Sequence, residues 1–288
     1  MYRAKQAGRG TSRFFEAAMD FELREKSALR LELRQAIAAG QIVPYYQPLV
    51  DLSKGSICGF EVLARWQHPS RGLLAPDRFI PLAEDMRLIG ALCASVLRQA
   101  CTEFARLPAT YRLAVNLSPV QLRDGEVSGQ IAAVLAETGF APHRLEVEVT
   151  ESALVDDMPT ARKTLGALRA LGVTVALDDF GTGYSSLFHL RELRFDKIKI
   201  DKSFVISIES EPERLRYLHA MIGLGRTLKL EVTAEGIETM DTLGELLRTG
   251  CAFGQGYLFG KPMPAEALPV LIASPVPMPS WSPSAEAA

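Results

Sequence analysis

The chain of 288 residues has little of what anchors or staples a protein by special chemistry. Its four cysteines, Cys58, Cys93, Cys101 and Cys251, are scattered without CxxC spacing, which excludes a disulfide framework and favours reduced thiols. Four histidines, His68, His143, His189 and His219, lie as far apart, so a zinc site built on His/Cys pairs has no local support. The longest nearly apolar run, 88–97, is bracketed by Arg87 and Arg98 and is about half the roughly 20 residues needed to span a bilayer. It reads as a core helix, and no membrane contact is expected. The basic start with Arg3, Lys5, Arg9 and Arg13 leads into no apolar stretch, so no export signal is read and a cytoplasmic location is expected. Charge of one sign is missing too: 32 basic against 34 acidic residues leave a net −2, which argues against a polyanion-binding surface and a nucleic-acid polymer as partner.

What is present is apolar patterning, 48% of the chain, enough for a sizeable core. A helical stretch over 14–39 stops at Gly40. Short β-rich runs then recur at 42–50, 57–66, 112–117, 144–150, 173–177, 197–200, 229–233 and 252–258. The first two are too close for a helical crossover and predict an antiparallel hairpin. The others are separated by helical stretches at 120–137, 158–171, 211–226 and 240–247, the alternation that builds a parallel sheet. Eight strands in such a length fit an α/β, TIM-like (β/α)8 barrel, and no glycine-rich dinucleotide fingerprint follows the first strand to support an open sheet. Beyond residue 272 the Pro- and Ser-rich text of 273–288 reads as a disordered tail.

Parity along the strands separates two faces. Leu113, Val115 and Leu117 oppose Asn116, and Leu145, Val147 and Val149 oppose Glu148. In the same way Asp178 opposes Leu177, Lys199 opposes Ile198 and Ile200, and Glu235 opposes Val232 and Ala234. In a barrel the aliphatic face packs on the helices, so the polar groups should converge near the strands' C-terminal ends, where active sites of this fold sit. Any single strand-end carboxylate is more often a helix cap or a solvated residue; five strands repeating the pattern make that reading poor. Glu61, Glu148, Asp178, Asp179 and Glu235, set against Lys199 and Arg65, leave three net negative charges, which would shift pKa values or recruit cations. Oxygen donors with one Asn amide favour Mg2+ or Mn2+, and the Asp178-Asp179 pair suits two ions about 3.5 to 4 Å apart. Metal-assisted phosphodiester hydrolysis leads; an aldolase or enolase-like lyase would leave that pair idle.

These residues resemble the EAL domain phosphodiesterases, which cleave cyclic di-GMP, a bacterial second messenger, to linear pGpG. The matching text is Tyr46-Gln-Pro48, Glu61-Val-Leu-Ala-Arg-Trp66, Asn116-Leu-Ser-Pro119, Glu148-Val-Thr-Glu151, Asp178-Asp-Phe-Gly-Thr-Gly-Tyr-Ser-Ser-Leu187, Lys197-Ile-Lys-Ile-Asp-Lys202, Ala234-Glu-Gly-Ile-Glu238 and Gly254-Gln-Gly-Tyr257. The signature itself reads Glu-Val-Leu in place of Glu-Ala-Leu. The resemblance implies one ion held by Glu61, Asn116, Glu148 and Asp178, and a second by Asp178, Asp179 and Glu235. It implies Lys199 positioning the attacking water, Glu235 as general base, and Gln47, Leu63, Arg65 and Gln255 contacting cyclic di-GMP. It further implies that Glu151 anchors the glycine-rich loop 180–186 and that the domain forms a homodimer. The alternative within the family is a catalytically silent cyclic di-GMP receptor, but every catalytic position here is filled.

Met1-Tyr-Arg-Ala-Lys-Gln-Ala-Gly-Arg-Gly10 resembles the final helix of a GGDEF diguanylate cyclase domain. The expected organisation is therefore a GGDEF-like remnant over 1–13, a linker helix over 14–40, the EAL barrel over 41–272 and the tail over 273–288, within a parent protein that could be tethered to the inner membrane.

Overall fold

The alternation of β-rich and helical stretches closes into a barrel. A computed structural model describes residues 17–154, 157–182, 190, 192–206, 208 and 211–280. The strands are β1 (Ile42–Asp51), β2 (Ser56–His68), β3 (Gly72–Leu74), β4 (Arg112–Leu117), β5 (Leu145–Thr150), β6 (Thr174–Phe180), β7 (Lys197–Ile200), β8 (Glu231–Ala234) and β9 (Phe253–Gln255). They pair in the order β1-β9-β8-β7-β6-β5-β4-β2-β3, and β1 also pairs with β2, so eight strands close the ring and β3 extends β2 outside it. The expected hairpin is there: β1 runs antiparallel to β2, with Gln47 opposite Glu61, and antiparallel to β9 on its other side. The remaining pairings around the ring are parallel.

The described helices are α1 (Ala17–Ala38), α2 (Ile80–Asp85), α3 (Ile89–Phe104), α4 (Pro119–Asp124), α5 (Val127–Thr138), α6 (Met158–Ala170), α7 (Pro212–Leu228), α8 (Met240–Thr249) and α9 (Leu268–Ala273). Phe60, Val62 and Trp66 of β2, Leu113 and Val115 of β4, and Val147 and Val149 of β5 are buried in one continuous core with α3, α5 and α6 residues such as Leu92, Val96, Ile131 and Leu165. Helix α1 joins this core through Leu29, Leu33 and Ala36.

Several boundaries differ from the sequence reading. The single helix expected over 120–137 is two, because Gly125 takes a left-handed conformation (φ 68°) that ends α4. Ser118 caps α4 with Pro119 in its first turn. The strand expected from 229 starts at Glu231, since Lys229 itself is left-handed (φ 59°) and caps α7. The run expected over 252–258 pairs only as Phe253–Gln255. Strand β6 continues to Phe180, past the expected end at 177.

The expected GGDEF-like remnant at 1–13, loop residues 183–186 and the last part of the tail, 281–288, lie outside the described residues. Residues 275–279 have no regular structure, yet Val276 and Met278 pack against the core, so this part of the expected tail lies on the barrel instead of trailing from it.

Candidate active site

The inward faces of β2, β4, β5, β6, β7, β8 and β9 bring their polar residues together around one ammonium group. Lys199 Nζ lies 2.7 Å from Glu148 Oε2, 2.7 Å from Glu235 Oε1, 3.5 Å from Asp178 Oδ1 and 3.8 Å from Glu61 Oε2. Only 1% of the Lys199 side chain is exposed and none of Glu148. Burial works against the ammonium, but the surrounding carboxylates overcome it and hold Lys199 well above the ordinary lysine value. Burial pushes Glu148 well above the carboxylate range despite Lys199, and Glu61 and Asp178 add to the rise. Burial likewise pushes Glu235 up to about 7, with Lys199 opposing.

The rim of this cluster is a hydrogen-bonded chain. Asn116 Nδ2 donates to Glu61 Oε1 at 2.6 Å, and Gln255 Nε2 donates to Glu61 Oε2 at 2.5 Å and to Gln47 Oε1 at 3.1 Å. Gln47 Nε2 in turn donates to the Gly260 carbonyl at 3.4 Å. A Cβ at Gly256 would sit 2.1 Å from the Ile237 carbonyl oxygen, so only glycine lets the segment after Gln255 lie this close to the loop after β8.

Two neighbouring carboxylates come from an irregular step. Pairing between β6 and β7 shifts register between Leu177 and Phe180, and Asp179 is left-handed (φ 55°). This leaves Asp179 half-buried next to Asp178, where burial first and Asp178 second raise its pKa. Glu151 is buried at the end of β5 and accepts from the Gly181 amide at 3.4 Å, at the start of the glycine-rich loop.

Arg65 and Leu63 lie further up β2 than Glu61. The Arg65 guanidinium lies 5.7 Å from the Tyr45 ring centroid and donates to the Ala64 carbonyl at 2.9 Å. Leu63 lines an apolar cavity of about 420 Å3 bordered also by Asn116, Ile80 and Leu92.

Divalent cations suit this donor set. Four carboxylates face a single ammonium, and Glu148 Oε1, Gln255 Oε1 and Thr233 Oγ1 are buried without a hydrogen-bond partner. Buried lone pairs of this kind are costly unless something electropositive meets them. Among the described residues no three His, Cys, Asp or Glu side chains already stand in metal-holding geometry; the nearest carboxylate oxygens, of Glu148 and Glu235, each lie 2.7 Å from Lys199.

The sequence reading missed a layer beneath this one. Glu146 and Lys197 pair at 2.7 Å with 3% and 6% of their side chains exposed. The signal was available, since each lies two residues before Glu148 and Lys199 and so shares the inward face.

The sequence profile of the EAL domain matches residues 30–262. The chain belongs to the EAL domain family. An uncharacterised signalling protein of Caulobacter vibrioides is 48% identical to this EAL chain over 93% of it and 33% of the relative. The bifunctional diguanylate cyclase/cyclic di-GMP phosphodiesterase MucR of Pseudomonas aeruginosa is 40% identical over 95% of the chain and 40% of MucR. The chain thus spans between a third and two fifths of the length of these curated relatives. Among solved structures, the PaMucR phosphodiesterase in complex with cyclic di-GMP superimposes with a TM-score of 0.79 at 39% identity, covering 84% of this chain and 99% of that one. A calcium and cyclic di-GMP complex of Klebsiella pneumoniae BlrP1 gives 0.69 at 30% identity, covering 77% and 56%.

Proposed function

We propose that this EAL domain is a metal-dependent phosphodiesterase that hydrolyses cyclic di-GMP to linear pGpG. The observation that carries the reading is the buried Lys199 ringed by Glu61, Glu148, Asp178 and Glu235 at the barrel's inner face, with every donor position of the motif series filled. Glu61, Asn116, Glu148 and Asp178 would hold one Mg2+ or Mn2+, and Asp178, Asp179 and Glu235 a second. Bound there, such ions supply positive charge to the phosphodiester and acidify a water molecule.

The chain's own residues do the rest. Lys199 donates hydrogen bonds toward the attacking water while its charge keeps Glu148 and Glu235 from repelling each other. Glu235, held near neutrality by burial, is suited to accept the proton released in the attack. Gln255 fixes the Glu61 carboxylate, Gln47 accepts from Gln255, and the two, with Leu63 and Arg65, orient the dinucleotide; the guanidinium fork of Arg65 suits a phosphate oxygen. Glu151 tethers the glycine-rich loop at Gly181. A substrate with paired phosphodiester charges is disfavoured beside these carboxylates until cations offset their charge, which supports metal dependence.

We extend the proposal to a homodimer acting in the cytoplasm as the C-terminal part of a larger GGDEF-EAL signalling protein. No described helix is long and apolar enough to cross a membrane. The deciding experiment incubates the purified chain with cyclic di-GMP and Mg2+ or Mn2+, with and without chelator, and follows pGpG. Chelator-sensitive turnover is the expected result. Binding without turnover would favour a silent receptor, and neither binding nor turnover would refute the reading.

A further inference from the structure

Below the carboxylate centre the inward faces of β5 and β7 each carry one more charged residue. Lys197 Nζ meets Glu146 Oε2 at 2.7 Å and lies 3.6 Å from Glu231 Oε2 and 4.8 Å from the Phe253 ring centroid. These groups line a cavity of about 440 Å3 that also includes Asp51, Lys54 and Arg112. Along a strand, residues two apart sit about 7 Å from each other on one face. Glu146 is therefore about 7 Å beneath Glu148, and Lys197 is as far beneath Lys199.

We propose that the Lys197–Glu146 pair is a charge-neutral floor that sets how tightly the carboxylate centre above it holds divalent cations. The inference rests on the metal-centred reading above. Neutrality is the physical point, because a buried ion pair adds little stability compared with well-packed apolar residues. Its consequence lies overhead instead: a charge uncovered at about 7 Å acts on a divalent ion through an effective dielectric of about 20 and is screened little by salt. Removing either partner should thus move metal affinity, and in opposite directions. Without Glu146 the Lys197 ammonium keeps only the more exposed Glu231, 3.6 Å away, and repels the cations more, whereas an unmasked Glu146 carboxylate attracts them.

The test is calorimetric titration of the full chain with Mn2+, for the unaltered protein, Glu146→Gln, Lys197→Met and the double variant, each checked for folding by its melting curve. Glu146→Gln should weaken Mn2+ binding by about tenfold or more, Lys197→Met should strengthen it by a similar factor, and the double variant should return close to the starting value. A merely structural role would move both single variants the same way, and that result, or no shift in either, overturns the proposal. Should Lys197→Met fail to fold, the near-isosteric Glu146→Gln decides alone: weaker binding supports the floor, and unchanged or tighter binding overturns it. An unaltered protein that binds no Mn2+ overturns the metal-centred reading and this inference together. Binding with parallel shifts in the two single variants overturns only the inference.

Discussion

Lys199, with 1% of its side chain exposed, is tolerated because Glu148 and Glu235 each approach its ammonium to 2.7 Å. Lys199→Met strands those carboxylates in the barrel, and breaking one side of a buried ion cluster costs about 3–5 kcal/mol. A clear fall in melting temperature is expected, partly reversed by saturating Mn2+, which replaces the lost positive charge; melting curves with and without the ion check this. Glu61→Ala and Asp178→Ala each delete an oxygen donor at the centre. Turnover of cyclic di-GMP should fall roughly 100-fold or more, the equivalent of several kcal/mol of transition-state charge stabilisation, while the melting temperature stays within a few degrees. Activity near the starting level in either variant would remove that residue from the site. Most of this cluster was legible because side-chain parity is a property of the strand itself. The contact of the Arg65 guanidinium with the Tyr45 ring was not, since it depends on pairing across the hairpin.

At the scale of elements, the loop after β8 and the segment after β9 touch through Gly256. A methyl group there would press on the Ile237 carbonyl, which accepts from the Leu258 amide at 3.0 Å. Gly256→Ala should lower the melting temperature and reduce turnover together, because the same segment carries Gln255. Thermal melts and rates measured on one preparation test this coupling.

Helix α1 is held on the barrel both by Leu29 and Leu33 and by ionic links. Glu32 pairs with His68 and Arg71, and Arg30 with Asp85. Burial raises Glu32, but hydrogen bonds from Arg71 and His68 outweigh it and leave its carboxyl below 4.5. A lowered native value means the contribution to stability is present above pH 4.5 and is lost as pH falls toward and through that lower value. The acid limb of melting temperature against pH should be steeper for the unaltered chain than for Glu32→Gln; superimposable curves would refute the link. The helical pattern of 14–39 was readable from the sequence, but its docking face was not, because the partners His68, Arg71 and Asp85 come from elsewhere in the chain.

For the whole molecule, four carboxylates around one ammonium imply that the apo barrel stores repulsion which divalent ions relieve. Adding Mg2+ or Mn2+ should raise the melting temperature in a concentration-dependent way, and chelator should reverse the gain; an unchanged melt would argue against cations in the barrel. The sequence by itself determined the α/β alternation, the leading hairpin and the inward carboxylates, because periodicity and side-chain parity are local and survive without a partner. Only the tertiary structure decided what required closure of the ring. It drew the carboxylates onto Lys199, left oxygens of Glu148 and Gln255 without partners, and stacked the Lys197–Glu146 pair beneath them. Those outcomes depend on distances between strands far apart in sequence, which are set by register and curvature and not by any segment alone.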